Sequence, residues 1–166
     1  MAVNIRFARA RDIPHLLRFI DGLAQYQHME DEVTVTPELL EKWVFTENMA
    51  EVLLAELEGE PVGFALFFPT FSAFPGLPGL YLQDLFVDPA CRGAGCGKAL
   101  MEALARTACE RGYGSVEWAC LDWNQPSIDF YCALGAKPMQ DWTNYNLSGD
   151  ALCALASGAL HPAPAQ

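Results

Sequence analysis

The most constraining stretch of this chain is a strand-like run, Leu80 to Val87, followed after Asp88-Pro89 by Arg92-Gly93-Ala94-Gly95-Cys96-Gly97-Lys98 and then directly by a helical pattern to about Arg111. The first turn of a helix leaves backbone N–H groups without partners and carries the positive end of the helix dipole. Glycines permit unusual φ values and let a ligand come close to the main chain. A strand, a glycine loop and a helix in this order therefore predict a phosphate-bearing ligand at the loop.

Three phosphate-loop patterns compete. A Walker A loop needs Gly-x4-Gly-Lys-Ser/Thr. Counted back from Gly97-Lys98, its first glycine falls on Arg92, and its final hydroxyl position is Ala99. A dinucleotide fingerprint, Gly-x-Gly-x-x-Gly, started at Gly93 ends on Lys98 and fails too. The pattern Arg/Gln-x-x-Gly-x-Gly/Ala is met by Arg92, Gly95 and Gly97.

The rest of the chain reads as an α/β domain. Val3 to Phe7 predicts a strand. Asp12 stands at an N-cap position before Ile13, Leu16, Leu17, Ile20, Leu23 and Ala24 at helical spacing. Thr36-Pro37 opens a second helix carrying Leu39, Leu40 and Trp43. Glu51–Glu58 and Val62–Phe68, joined by Gly59-Glu60-Pro61, predict a hairpin. After the glycine-loop helix, closed by Gly112, come a strand over Ser115–Leu121, a short helix over Ser127–Leu134 closed by Gly135, and a last strand over Thr143–Leu147. The expected domain is 1–156, with a frayed tail over 157–166.

The loop pattern resembles the pyrophosphate loop of the GCN5-related N-acetyltransferases (GNAT). A second motif strengthens the likeness: Asn124-Gln125-Pro126-Ser127-Ile128-Asp129-Phe130-Tyr131-Cys132-Ala133-Leu134-Gly135-Ala136 is similar to that family's Asn-x-x-(Ser/Ala)-x-x-(Phe/Tyr)-Tyr-x-x-x-Gly-(Ala/Phe) segment. Tyr26-Gln27-His28-Met29-Glu30, Tyr81-Leu82-Gln83-Asp84-Leu85-Phe86-Val87 and Trp123-Asn124-Gln125-Pro126-Ser127 resemble the diamine branch, the spermidine/spermine or thialysine acetyltransferases.

The resemblance implies a single-domain α/β fold with a mixed, mostly antiparallel sheet flanked by helices, acetyl-CoA as co-substrate, no metal, and a homodimer. It implies direct attack by a small primary amine (a diamine, polyamine or lysine-like compound) in a ternary complex. The rival reading is a non-catalytic acyl-CoA-binding or sensing module. By the same resemblance the backbone of Leu85, Phe86 and Val87 lines the pantetheine arm, and Arg92, Gly93, Ala94, Gly95, Cys96, Gly97 and Lys98 cradle the pyrophosphate. Tyr131 is the general acid for the leaving thiolate; its alternative is a half-buried packing residue. Asn124 and Ser127 either bond the cofactor or cap the short helix. Tyr26, Gln27, Gln83 and Asp84 fall on the amine side. Trp123 and Trp142 either shape an apolar slot or belong to the core.

Gln83 is the departure from the branch, which has a glutamate there as a contact or base for the amine. An amide takes no proton. Asp84 is adjacent, but neighbouring strand residues point to opposite faces, which argues against a simple replacement. A water chain, Glu30 or Asp31 are the alternative bases. Cys96 sits at a helix N-terminus, where a thiol pKa tends to fall, and is read as a loop residue that tolerates the cofactor, with a reactive thiol as the alternative.

Charge excludes some partners. The net charge is −11, which disfavours nucleic acid and anionic membranes. Between Glu30 and Glu60 stand ten acids and one base, Lys42, either a solvated surface or an attractor for a cationic substrate. The opening residues, MAVNIRFARARD, contain no apolar signal region, and the six cysteines form no CxxC pair. Both point to a reducing cytoplasm.

Overall fold

The computed structural model describes residues 2–159. These fall in two compact units, one up to Cys120 and one from Leu121 onward. Residues 160–166 of the expected tail lie outside the described residues.

The first unit is built on β1 (Val3–Phe7), β2 (Glu51–Leu57), β3 (Glu60–Ser72), β4 (Leu77–Val87) and β5 (Val116–Trp118), in the spatial order β1-β2-β3-β4-β5. The first three pairings are antiparallel and β4–β5 is parallel, so the sheet is mixed and mostly antiparallel, as expected. The β2–β3 turn is tighter than the sequence suggests: Leu57 pairs with Glu60, and Glu58 and Gly59 both have positive φ. That geometry is a two-residue turn whose twist suits a hairpin.

Helix α1 (Ile13–Gln27) covers one face. Ile13, Leu16 and Phe19 pack on Val52, Leu54, Phe64 and Phe86, with Leu40 and Val44 closing the cluster. The Phe19 and Phe64 rings stack at 5.8 Å. Leu40 belongs to α2 (Pro37–Leu40), which Thr36 caps by accepting the Leu39 N–H; the chain then continues as a wider π-turn through Thr46. Helix α3 (Cys96–Glu110) packs on the opposite face with Leu100, Leu104 and Ala108 buried.

Asp12 stands immediately before α1 but does not cap it. Its carboxylate accepts the Arg9 N–H at 2.8 Å and pairs with both terminal nitrogens of Arg6 at 2.7 and 2.9 Å. Arg6 also reaches Glu56 across the β1–β2 ladder at 2.6 Å. The guanidinium so close by lowers the Asp12 pKa to about 2.

The second unit contains α4 (Gln125–Ala133) and α5 (Gly149–Ala156). The last strand expected over Thr143–Leu147 is irregular instead. Trp142 and Tyr145 are exposed there, at 76% and 94%. With no buried face to fix its register, alternation alone does not make a strand. Helix α5 is absent from the sequence-based expectation, although Ser148 precedes its Ala/Leu run. Strand β5 is also shorter than the Ser115–Leu121 expected.

Candidate active site

The site in the first unit is set by a bulge in β4. Leu66 pairs with Asp84 and the next residue, Phe67, pairs with Leu82, so Gln83 has no opposite number. A bulge of this kind adds a residue to one strand and changes which side chains face which way. Leu82 thereby shares the α3 face with its partner Phe67, while Asp84 and Phe86 share the α1 face with Leu66 and Phe64. Gln83 is exposed.

Asp84 lines an open cleft of about 290 Å³ whose other walls are Ile20, Leu23, Ala24 and Gln27 of α1 and the segment after it, including Met29, Glu32, Val33 and Val35. The bulge breaks the strict alternation expected here, and the outcome is the reverse of the expected one: the acid, not the amide, lines the cleft. Burial alone raises the Asp84 pKa to about 6. Of the acidic turn Glu30–Glu32, only Glu32 lines the cleft. The wider acidic window is dispersed: Glu51 pairs with Arg111 and Glu56 with Arg6.

The walls of this cleft are drawn together by Gly22. A Cβ built there would lie 2.6 Å from the Phe86 ring, so only glycine lets α1 ride this low over β4. Arg18 ties the same helix down, donating to Asp88 at 3.0 Å and to the Pro61 carbonyl at 2.8 Å. At its far end His28 adopts a left-handed conformation and the Met29 N–H reaches the Ala24 carbonyl at 2.9 Å. This closure turns the chain sharply into the segment that forms the cleft's second wall.

Beside the cleft lies the glycine loop. Gly93 and Gly95 have φ of +83° and +85°, conformations that residues with a Cβ resist. Gly95 is the N-cap of α3, and neither a capping side chain nor an acid stands in the first turn. The first intrahelical bond runs from the Ala99 N–H to the Gly95 carbonyl, leaving the amides of Cys96, Gly97 and Lys98 ahead of the ladder. Lys98 is exposed and pairs with Glu102, one turn on, at 3.2 Å. The pairing of β4 with β5 stops at Leu82–Trp118, so the edge of β4 from Gln83 to Val87 has no strand partner among the described residues. An anionic group at the loop and an extended arm along that edge both fit this arrangement.

The place of Cys96 at a helix N-terminus does not activate its thiol. Its side chain is 1% exposed and burial pushes the thiol pKa up, not down. It fills the core beneath the loop, which leaves only its backbone N–H to meet a ligand.

Tyr26 has a role that its place in the sequence does not suggest. The Arg92 guanidinium lies over its ring, 5.0 Å from the centroid, and 5.9 Å from that of Phe86. Arg92 also donates from Nε to the Val87 carbonyl at 3.2 Å. Tyr26 thus joins the helix that walls the cleft to the loop arginine. With coenzyme A at the loop, as the family resemblance implies, Tyr26→Leu is expected to raise its dissociation constant about two- to fivefold, the equivalent of an exposed cation–π contact. Titration calorimetry checks this.

In the second unit, Asn124 is the N-cap of α4, and its side chain accepts the Ser127 N–H at 3.4 Å. The helix begins two residues before the expected Ser127, and that serine contributes its backbone to the cap. Tyr131 lies two turns along α4, half-buried, with its ring 5.3 Å from that of Phe130. Trp123 and Trp142 are both more than half exposed, so neither is a core residue.

The acetyltransferase (GNAT) family profile matches residues 15–136. The chain is 34% identical over 169 residues to thialysine N-epsilon-acetyltransferase of Sus scrofa, covering 93% of this chain and 98% of that protein. It is 42% identical over 93 residues to L-ornithine N5-acetyltransferase NATA1 of Arabidopsis thaliana, covering 56% of this chain and 41% of that one. A solved structure, the V. cholerae integron cassette protein VCH_CASS6, superposes with a TM-score of 0.78 at 26% identity, covering 94% of this chain and 98% of that one. A loop that offers bare helix amides, an open strand edge beside it and a family match across most of the chain converge: the protein belongs to the GNAT family, whose co-substrate is acetyl-CoA, and is an N-acetyltransferase.

Proposed function

We propose that the acceptor is a small molecule with a terminal primary amine on an apolar chain, lysine-like in character, acetylated by direct attack in a ternary complex. The cleft carries this reading. Its walls are apolar, and Asp84 supplies a single half-buried carboxylate. Gln27 is a neutral neighbour within the cleft, and Glu32 is exposed. One ammonium therefore has a carboxylate to meet, whereas a second has only the exposed Glu32. The names of the porcine and plant relatives, which specify thialysine and ornithine, support an amino-acid-like acceptor.

In this reading Tyr26, Gln27, Gln83 and Asp84 belong to the acceptor side. The backbone of Leu85, Phe86 and Val87 runs beside the acyl arm, where an N–H can stabilise a developing oxyanion. The loop from Arg92 to Lys98 holds the pyrophosphate, with Asn124 and Ser127 as further cofactor contacts, and Tyr131 protonates the departing thiolate. The catalytic domain is residues 1–156, acting as a homodimer in the cytoplasm without nucleic acid or membrane partners. Among the described residues no helix is long and apolar enough to cross a membrane.

Release of free thiol from acetyl-CoA across an amine panel tests the acceptor class. Lysine analogues and other aminoalkyl compounds should give higher kcat/KM than spermidine or spermine. Binding of acetyl-CoA with no thiol released by any amine would reject this function, and a preference for polyamines would reject the acceptor class.

A further inference from the structure

A primary alkylamine is the wrong species for acyl transfer at neutral pH. With a pKa near that of lysine, about 10.4, only about one molecule in 2,500 is neutral at pH 7. The remainder carry a proton where the nucleophilic lone pair must be. An acetyltransferase acting on such amines needs a group at the acceptor site that can take this proton.

Gln83 cannot take it, and Glu30 and Asp31 do not line the cleft. Two carboxylates do, Glu32 and Asp84. Glu32 is exposed, on the segment after α1. Asp84 lies on the sheet floor, half-buried, on the strand whose next residues are Leu85, Phe86 and Val87. From α1 it faces Ile20, Leu23, Ala24 and the neutral amide of Gln27; from the following segment it faces Glu32 and the hydroxyl-bearing Thr34; its partner on β3 is Leu66. Among the described residues no lysine, arginine or histidine lines this cleft, and no hydrogen bond or ion pair ties the Asp84 side chain to another of them.

We infer that Asp84, set on the cleft face by the bulge at Gln83, is the group that takes the proton from the acceptor amine. The inference rests on the acceptor reading above. The N–H bond of the ammonium breaks, the proton passes to an Asp84 carboxylate oxygen, and the electron pair stays on nitrogen as the nucleophile. The open mouth of the cleft returns the proton to water. The raised pKa of Asp84, about 6, fits it for this proton transfer, because the carboxylate is ionised at neutral pH yet a stronger base than an exposed aspartate.

The pH dependence of turnover in Asp84→Asn and Glu32→Gln, beside the wild type, provides the test. Wild-type kcat should rise through an acidic limb near pH 6 and then level. In Asp84→Asn that limb should vanish, and kcat at pH 7 should fall about 100-fold or more, the range for a lost general base. The deficit should shrink tenfold per pH unit as the free amine becomes abundant. A weakly basic primary amine, one already neutral at pH 7, should be acetylated by the variant at close to the wild-type rate. Glu32→Gln should raise KM and keep the limb.

An Asp84→Asn variant that raises KM alone, with kcat and the limb intact, makes Asp84 a binding group and overturns the inference. A limb lost with Glu32→Gln assigns the proton to Glu32 and does the same. Equal deficits of Asp84→Asn toward strongly and weakly basic amines would indicate structural damage and also count against it. A wild type that releases no thiol from any amine would overturn the function itself, a result distinct from all of these.

Discussion

Asp84→Asn is expected to yield a protein that is harder to unfold than the wild type, and only at the pH where the wild type works. Asp84 has an ordinary pKa of 3.8 and a folded value of about 6, raised by burial. The folded state thus holds the proton more tightly than the unfolded chain. For an acid shifted upward, stability falls as pH rises between the unfolded and folded values and stays low above them. Well below pH 4 the carboxyl is neutral in both states and the penalty is absent, and at pH 4 most of it is already gone. Relieving it at pH 8 is worth about 2–3 kcal/mol. For a chain of this size that is roughly 4–12 °C in Tm. Thermal unfolding at pH 8 and pH 4 checks this, and an equal Tm gain at both would refute it. A fold that keeps a destabilising charge facing a cleft has a stability cost that function offsets.

Tyr131→Phe is expected to cut turnover at least about 100-fold, the low end for a general acid, while leaving acetyl-CoA affinity near that of the wild type. The phenol hydroxyl is the only group removed, and the ring that lies beside Phe130 on α4 remains. The loss should be greatest for thioesters whose thiolate is the poorest leaving group, since those depend most on protonation. Stopped-flow thiol release separates this from a change in amine binding, and unchanged turnover would remove Tyr131 from the mechanism.

Much of this is legible in the chain because some residues permit few alternatives. Arg92, Gly95 and Gly97 ahead of an amphipathic helix demand a loop of one kind, and the structure has the helix beginning at Cys96 and Gly95 in the left-handed region. The β2–β3 hairpin and the stripe of α1 are legible for the same reason: local pattern and tertiary burial agree. What stays hidden depends on contacts distant in sequence. Asp12 looks like a helix cap until Arg6 claims it from β1. Cys96 stands at a helix N-terminus, and only the fold shows its side chain buried under the loop. Tyr26 looks like a helix end until Arg92 lies over it, 66 residues on. Thr143–Leu147 alternates like a strand, yet alternation needs a buried face before it specifies one. The cleft wall from Met29 to Val35 reads in the sequence only as acidic composition, because nothing local shows that Val33 and Val35 line the same cleft as Asp84.

Strand β4 is written in two phases joined at Gln83. Up to that point the even-numbered side chains, Leu80 and Leu82, belong with α3; beyond it the even-numbered ones, Asp84 and Phe86, belong with α1. Any single period laid along the strand averages the two and reads an uninterrupted apolar run broken by a polar pair. One continuous backbone, never released from β3, thereby acts as the ceiling of one compartment and the floor of another. The first is closed and packed with uncharged side chains. The second is open and can hold a charge, and the boundary between them is one residue wide.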